Sequence, residues 1–243
     1  FQGGIMQEDK MLTADIQQQF DQAKHILFMT GAGISTASGI PDYRSKNGIY
    51  QGVRLRPEYL LSATAFQNEP LKQYQFMIDN MYFPAAEPNV IHEKMAELTR
   101  QNRAKIITQN VDDLHVKAKS QAANLIRFHG SLYDIYAPKD GQKANLSAYM
   151  KSPKRADGAM LRPRITFYEE MPFEVEKSAA WVQAADLIVI VGTSFQVYPF
   201  AGLLNYAKLD VPVIAINLEH IQTTFPVTQI LGDATTFFEA LKV

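Results

Sequence analysis

The stretch TGAGISTASGIPDYR, residues 30–44, directly follows the apolar run HILFM at residues 25–29. The run predicts a buried strand because it is short, apolar and bounded by a glycine turn. In dinucleotide-binding folds, such a strand and turn bring backbone N–H groups towards a pyrophosphate. Gly31 and Gly33 fit the usual G-x-G-x-x-G fingerprint, but Thr36 takes its sixth position. Two glycines alone are equally consistent with a tight connection that binds nothing.

A polar segment after the turn favours a ligand site. Asp42, Tyr43 and Arg44 place a carboxylate, a phenol and a guanidinium on one loop near the turn. Arg44 could bind the cofactor, and a structural ion pair is an equally good interpretation. The segment at residues 31–33 (Gly31, Ala32, Gly33) would let the backbone approach phosphates, because a larger side chain there would hold the ligand away.

Four further polar motifs end apolar runs that are typical of buried strands. Single strands of this kind between helical segments predict a parallel sheet covered on both faces. Ligands of such sheets bind at the carboxyl ends of the strands. The sequence therefore predicts an α/β, Rossmann-like domain with a dinucleotide site at that edge. The motifs are TQNVDDLH (108–115), HG (129–130), GTS (192–194) and NLE (217–219).

Apolar residues at three- and four-residue spacing predict the helices around this sheet. Asn89 is a predicted cap, because a helical pattern starts directly after Pro88. The predicted helices are 11–24, 57–66, 70–82, 89–101, 172–184, 199–207 and 234–242. The predicted strands are 25–30, 104–108, 124–128, 186–192, 211–217 and 227–231.

The later motifs supply polar groups for a cofactor. Thr193 and Ser194, after Gly192, offer hydroxyl donors near a phosphate or ribose. Glu219 can accept from a ribose hydroxyl, as acidic residues do after a Rossmann strand. A solvated turn is the competing interpretation of Asn217 and Glu219. Asp233 either contacts the cofactor or caps the last helix.

His129 is the predicted catalytic base. A lone histidine is more often structural, but this one ends a strand and precedes a glycine. It also has Asn110 and Asp112 on the neighbouring strand end. An imidazole with a pKa near 6.5 suits proton abstraction at cellular pH.

Taken in this order, the motifs from about His25 to Asp233 resemble those of the sirtuins, the NAD-dependent protein-lysine deacylases. The resemblance implies NAD as cofactor and an acyl-lysine protein or peptide as substrate. It implies release of nicotinamide and transfer of the acyl group to ADP-ribose. The histidine of the family helps to deprotonate a ribose hydroxyl after nicotinamide has left.

The resemblance also assigns roles residue by residue. Asn110 and Asp112 would line the nicotinamide pocket, with Ile40 and Asp42 nearby. Gln109 would contact a ribose. The substrate backbone would lie extended between two edges of the protein. The predicted substrate contacts are Phe167, Tyr168, Glu169, Phe195 and Val197.

The chain departs from the sirtuin pattern at the zinc module. Sirtuins usually carry four zinc-binding cysteines between the histidine motif and a Leu-Arg-Pro motif, whereas this chain has no cysteine. We therefore expect no zinc and a small zinc-free insert at residues 131–160. One catalytic domain would span residues 6–243, and residues 1–5 resemble the remnant of a tag or protease site.

The acyl preference can also be read from the resemblance. Sirtuins that remove acidic acyl groups carry a tyrosine and an arginine three residues apart, and the matching positions here are Met77 and Asn80. No cation is available there, so acetyl or an apolar acyl group is favoured. Tyr168 replaces a glycine of the family's Phe-Gly-Glu and could narrow the groove.

Composition excludes several classes of function. The chain has 243 residues, and a net charge of −1 gives no basic face for nucleic acid. No apolar run is long enough for a membrane span, and no signal-peptide pattern is present. A cytoplasmic location is the expectation.

Two other functions remain open. The chain could transfer ADP-ribose to a protein, although relatives associated with that activity typically lose the histidine. It could also be a non-enzymatic NAD-binding regulatory domain.

Overall fold

The computed structural model describes residues 10–42 and 57–243. Within these residues, six strands form a parallel sheet in the spatial order β3 (Leu125–Arg127), β2 (Ala104–Thr108), β1 (Ile26–Thr30), β7 (Leu187–Val191), β8 (Val213–Asn217) and β9 (Thr228–Leu231). This arrangement confirms the predicted Rossmann-like α/β fold. The strands are β1 (Ile26–Thr30), β2 (Ala104–Thr108), β3 (Leu125–Arg127), β4 (Gly130–Tyr136), β5 (Lys143–Ala144), β6 (Arg162–Ile165), β7 (Leu187–Val191), β8 (Val213–Asn217) and β9 (Thr228–Leu231).

Helices cover both faces of the sheet. Alternate residues of β1 point to opposite faces of the sheet. Ile26 and Phe28 pack in one hydrophobic core, and Leu27 and Met29 pack in the other. The first core is closed by α1, α5 and α9, and the second by α8 and a 3₁₀ helix at Ala201–Tyr206. The helices are α1 (Ala14–Gln22), α2 (Pro57–Leu60), α3 (Ala63–Asn68), α4 (Pro70–Asn80), α5 (Val90–Arg100), α6 (Leu114–Lys117), α7 (Leu146–Lys151), α8 (Val175–Ala184) and α9 (Ala234–Ala240).

Helix α5 begins as the sequence predicted. The Asn89 Oδ1 atom accepts the Ile91 N–H at 2.9 Å, and the Asn89 N–H donates to His92 Nδ1 at 3.1 Å. These two bonds form a capping box with histidine in the place of the usual Glu or Gln.

Two predicted helices differ from the structure. The helix predicted at 57–66 is split, because Ser62 caps α3 by accepting the Ala65 N–H at 3.0 Å. Ser62 also bridges to Tyr168, which an unbroken helix would prevent. The helix predicted at 199–207 is the 3₁₀ helix Ala201–Tyr206.

A second, antiparallel sheet in the order β5-β4-β6 lies between β3 and α8 in the chain. The short helix α7 lies in the same part of the chain. Strands β4 and β5 were not predicted within residues 131–160. A register shift between Ser131 and Ile135 breaks the two-residue alternation by which β4 could have been recognised.

The small module is anchored by Tyr149 of α7. Its side chain is 1% exposed, and its ring meets the edge of the Tyr74 ring with centroids 5.1 Å apart. The Tyr74 hydroxyl donates to the Tyr149 carbonyl at 2.5 Å. Ile135, Ala137 and Leu161 complete this core. Packing against α4 therefore ties the module to the main domain.

Arg155 joins two turns of the same module. Its Nε and Nη2 atoms donate to both carboxylate oxygens of Asp157, at 2.9 and 2.8 Å. Its Nη1 and Nη2 atoms reach the two oxygens of Asp140, at 3.1 and 2.8 Å. The hydrogen bonds from Arg155 lower the pKa of both carboxyls. Two forked pairs on one planar guanidinium fix the relative placement of the turns.

We expect Tyr149→Ala to lower the free energy of unfolding by about 3–5 kcal/mol, because it removes a large buried aromatic side chain and leaves a cavity. Urea denaturation measures this loss. Lys151→Ala, at an exposed position of the same helix, is the control and should change stability by less than about 0.5 kcal/mol. Equal stability of the two variants would contradict the anchoring role of Tyr149.

Candidate active site

The turn after β1 is locked against the turn after β7. The Gly31 N–H donates to the Val191 carbonyl at 3.1 Å, and the Gly33 N–H donates to the Gly192 carbonyl at 2.8 Å. A Cβ atom on Gly31 would lie 2.6 Å from Thr193 Cβ, and one on Gly33 would lie 2.8 Å from Gly192 Cα. Glycine is therefore required here by the contact between two turns. This agrees with the tight connection that the two glycines also predict, and phosphate approach stays a prediction.

No α-helix starts at this turn. Two 3₁₀ turns, Ala32–Ile34 and Thr36–Ser38, follow β1 and end at Gly39, which has a φ of 91°. Among the described residues, the Ala32 N–H has no acceptor, whereas the neighbouring Gly31 and Gly33 N–H groups are bonded within the chain. A phosphate at this turn would therefore be bound by single backbone N–H groups and not by the N-terminus of an α-helix. The Ala32 N–H is available as such a donor.

Gln109 connects three strand ends. Its N–H donates to the Thr30 carbonyl at 2.9 Å, and its carbonyl oxygen lies 3.2 Å from His129 Nδ1. Its side-chain Oε1 accepts the Thr193 hydroxyl at 2.8 Å. The predicted base, the predicted ribose contact and the predicted hydroxyl donor therefore belong to one hydrogen-bonded network.

Asn110 and Asp112 are fixed beside the glycine turn. Asn110 Nδ2 donates to the Gly31 carbonyl at 2.9 Å. Asp112 Oδ2 accepts the Ser35 hydroxyl at 2.6 Å, and its Oδ1 accepts the Leu114 N–H at 3.0 Å. Burial raises the pKa of Asp112, against the lowering effect of these hydrogen bonds. Ser35 is 1% exposed and was missed from the sequence, where only its place in the glycine turn marks it.

His129 is a neutral base in this setting. A carbonyl oxygen can only accept, so the contact with Gln109 places the ring hydrogen on Nδ1 and leaves a lone pair on Nε2. Burial lowers the pKa of His129 to about 4, against the raising effect of the bond to Gln109. The imidazole is therefore unprotonated at neutral pH, as a general base must be.

Two further histidines are buried behind the site. His92 Nε2 lies 3.5 Å from the Ser35 hydroxyl, and its ring centroid lies 5.2 Å from that of His115. His115 Nε2 lies 2.9 Å from the Thr30 hydroxyl. Burial lowers the pKa of His92 to about 4 and that of His115 well below its usual value. Both lie among contacts within the fold.

The end of β8 offers further donors and acceptors. Asn217 Oδ1 accepts the Thr193 N–H at 2.9 Å, while the buried Asn217 Nδ2 has no hydrogen-bond partner among the described residues. Glu219 and Ser194 have exposed side chains. Asp233 accepts the Thr235 N–H at 2.9 Å, which confirms its role as the cap of α9. Contacts of these side chains with a cofactor stay predictions.

The remaining predicted cofactor contacts lie on the loop after Gly39. Ile40 is buried and Asp42 is half-buried. The predictions for Tyr43 and Arg44 lie outside the described residues. The Ala32 N–H and the Asn217 amide, which has no partner among the described residues, suit a ligand rich in phosphate and ribose oxygens.

The predicted substrate residues serve several roles within the fold. Phe167 and Phe195 are buried in two different cores. The Glu169 carboxylate accepts from the N–H and hydroxyl of Thr64, at 3.2 and 2.8 Å. Val197 is half-buried, and Tyr168 has 46% of its surface exposed. Substrate contact stays a prediction for each of them.

The backbone of Tyr168 is already paired within the chain. Its N–H donates to the Leu61 carbonyl at 2.9 Å, and its carbonyl accepts the Ala63 N–H at 3.0 Å. The edge at Tyr168, along which the substrate backbone was expected to lie, is therefore partly occupied by the connection between α2 and α3.

Comparisons with known proteins identify the family. A family model described as the Sir2 family matches residues 31–199. This chain belongs to the Sir2 family. It is 49% identical over 230 residues to an NAD-dependent protein deacetylase of Lactiplantibacillus plantarum, with 93% of this chain and 97% of the relative covered. It is 47% identical over 221 residues to one of Enterococcus faecalis, with 90% and 92% covered.

Solved structures of Sir2 proteins share the fold. A Sir2 homologue mutant in complex with ADP ribose aligns with a TM-score of 0.84 and 32% identity, over 95% of each chain. Another Sir2 mutant, with deacetylated p53 peptide and 3′-O-acetyl ADP ribose, aligns with a TM-score of 0.82 and 26% identity. That alignment covers 93% of this chain and 95% of the other chain.

This Sir2-family chain has no cysteine, so it cannot form the thiolate zinc site that the resemblance would imply. Within residues 10–42 and 57–243, no group of three or more His, Asp or Glu side chains is arranged to hold a metal ion. In the same residues, no helix combines the length and the apolar character that crossing a membrane requires.

We expect the stability of this Sir2 protein to fall as the pH is lowered from 6.5 towards 4. In this range the unfolded chain binds protons at positions 92, 115 and 129, whereas the folded chain keeps these imidazoles neutral, because the pKa values of His92 and His129 lie near 4 and that of His115 lies well below its usual value. One pKa unit corresponds to about 1.4 kcal/mol, so the three histidines together remove about 4 kcal/mol by pH 5.5. The raised pKa of Asp112 acts in the opposite direction.

Urea unfolding at pH 7.5 and 5.5 measures this loss. The informative variant is His92→Gln, because a glutamine side chain can still accept the Asn89 N–H of the capping box but cannot titrate. Its loss between the two pH values should be about two thirds of that of the parent, because His115 and His129 still titrate on unfolding. His25→Gln, at an exposed position, is the control. Equal stability at both pH values, or an unchanged pH dependence in His92→Gln, would contradict the account.

Proposed function

We propose that this chain is an NAD-dependent protein-lysine deacylase, which releases nicotinamide and transfers the acyl group to ADP-ribose. The observation that carries the proposal is His129. It is neutral, its tautomer is set by Gln109, and Gln109 joins it to the turns of the proposed cofactor site. The names of the relatives, NAD-dependent protein deacetylases at up to 49% identity, support the same activity.

NAD would lie across the carboxyl ends of the strands. The Ala32 N–H would donate to a phosphate, and the Asn217 amide would donate to the ribose of the adenosine half. Asn110 and Asp112 would form the nicotinamide pocket. There an amide and a carboxylate would stabilise the positive charge that develops on the ribose as nicotinamide leaves. The remaining proposed cofactor contacts are Gly31, Gly33, Ile40, Asp42, Tyr43, Arg44, Gln109, Gly192, Thr193, Ser194, Glu219 and Asp233.

When bound, NAD supplies an electrophilic ribose carbon and a nicotinamide leaving group. The His129 Nε2 atom would accept a proton from a ribose hydroxyl of the bound cofactor, because Nδ1 already carries the hydrogen that faces Gln109. Ser35 and the Leu114 N–H hold both oxygens of Asp112, so the carboxylate keeps one orientation as nicotinamide leaves. Burial of these groups keeps water from competing with the acyl-lysine substrate.

The substrate would be an acyl-lysine in an extended peptide. Its backbone would lie between the region of Tyr168 and the segment that contains Val197. Met77 is buried in the core, and Asn80 donates to a carbonyl of its own helix at 2.9 Å. Neither supplies a cation for an acidic acyl group, which favours acetyl or an apolar acyl group.

The setting of the enzyme is part of the proposal. A net charge of −1 supports neither nucleic acid nor anionic membranes as partners, and we propose a cytoplasmic location. A single catalytic domain of residues 6–243 would carry residues 131–160 as a zinc-free insert. The Tyr149 core and the Arg155 pairs would stabilise that insert in place of metal.

The test combines NAD, an acetyl-lysine peptide and the protein, and measures nicotinamide and deacetylated peptide by mass spectrometry. We expect equimolar products from the parent chain and a loss of about 10²–10⁴-fold in rate for His129→Ala, because a positioned base is removed. ADP-ribose binding should stay within about twofold. His220→Ala, at an exposed histidine, is the control.

Near-parental turnover in His129→Ala would remove this residue from the mechanism. ADP-ribosylated protein without deacetylated peptide would indicate the transferase. NAD binding without either product, across several acyl chains, would indicate a regulatory domain.

A further inference from the structure

Asp113 bridges the two ends of the segment that carries His129. Its Oδ1 atom accepts from Arg127 Nη1 at 3.0 Å, and its Oδ2 atom accepts the Ser131 hydroxyl at 2.7 Å. Arg127 ends β3, and Ser131 lies at the start of β4. One carboxylate therefore holds the positions two residues before and two residues after the base.

This segment is where the chain leaves one sheet for the other. Strand β3 belongs to the parallel sheet and β4 to the antiparallel sheet. Gly130 has a φ of 85°, and a Cβ atom there would lie 2.0 Å from the Arg164 carbonyl oxygen. The backbone around His129 therefore passes tightly from one sheet to the other, and this path requires a glycine at position 130. The Asp113 side chain is hydrogen-bonded to residues on both sides of His129.

His129 has few other restraints of its own. Its ring contacts the Gln109 carbonyl at 3.2 Å, and its carbonyl accepts the Thr166 N–H at 2.9 Å. Asn110 and Asp112 are different, because the Gly31 carbonyl and the Ser35 hydroxyl fix them without Asp113. The nicotinamide pocket and the base are therefore positioned by separate contacts.

We infer that Asp113 is a positioning residue for His129, which holds the base through Arg127 and Ser131 without touching substrate or cofactor. The inference rests on the proposed deacylase function. A loss of Asp113 should therefore affect deacylation more than nicotinamide exchange. Nicotinamide exchange depends on the pocket at Asn110 and Asp112 and precedes the proton transfer, whereas completed deacylation also depends on His129.

The backbone of Asp113 suggests the variant to use. Its φ is 59°, a conformation that glycine adopts without a steric penalty. Asp113→Gly therefore removes the carboxylate while relieving backbone strain, and the fold should tolerate it. Lys119→Gly is the matched control, because Lys119 is exposed, has a φ of 66° and lies just after the same short helix.

The experiment measures deacetylation and nicotinamide–NAD exchange side by side, with an acetyl-lysine peptide. We expect Asp113→Gly to lower the deacetylation kcat about tenfold, with exchange and the KM for NAD within about twofold of the parent. Asp113→Asn keeps one acceptor oxygen, so it should recover part of the loss. Lys119→Gly should match the parent in both assays.

Each other outcome has a definite meaning. A parallel fall of deacetylation and exchange in Asp113→Gly would make Asp113 a general structural residue and overturn the inference. Unchanged deacetylation would overturn it as well. Absence of both activities in the parent chain would instead refute the proposed function, so the two failures can be told apart.

Discussion

The turns after β1 and β7 touch each other backbone to backbone, and the arrangement of the site depends on that contact. Gly33 approaches Gly192 so closely that a Cβ atom on either residue would fall within 3 Å of the other turn's backbone. The same approach brings Thr193, in the turn after β7, to Gln109, which follows β2. A wider separation of the two turns would break this hydrogen bond. The predicted cofactor contacts on the turn after β1 would then move away from those on the turn after β7.

The second constraint is the burial of ionisable groups at the carboxyl edge of the sheet. Burial lowers the pKa of His129 to about 4 and raises that of Asp112. The shift of His129 costs folding free energy below pH 6.5, and the shift of Asp112 costs it at neutral pH. The fold accepts this cost at residues where the proposed reaction needs a neutral base and an oriented carboxylate.

The sequence predicted the sheet, its strand ends and the polar motifs that meet there, because each strand is a short apolar run that stops at a polar motif. It did not predict Ser35, since a serine in a glycine turn carries no mark of its buried bond to Asp112. It did not predict β4 because a register shift disrupts the alternation. It did not predict that the Arg162 guanidinium packs over the Phe167 ring, 4.0 Å from the ring centroid. The bond between Ser35 and Asp112 joins chain segments that are distant in sequence.

The most direct test of this account is ADP-ribose binding by Gly33→Ala, measured by isothermal titration calorimetry. Gly202→Ala is the control, because a Cβ atom there would meet only the Tyr198 side chain, at 3.4 Å. The account predicts that Gly33→Ala stays folded by circular dichroism but binds ADP-ribose at least about tenfold more weakly, while Gly202→Ala binds normally. Parental affinity in Gly33→Ala would contradict the claim that the contact between the two turns builds the site.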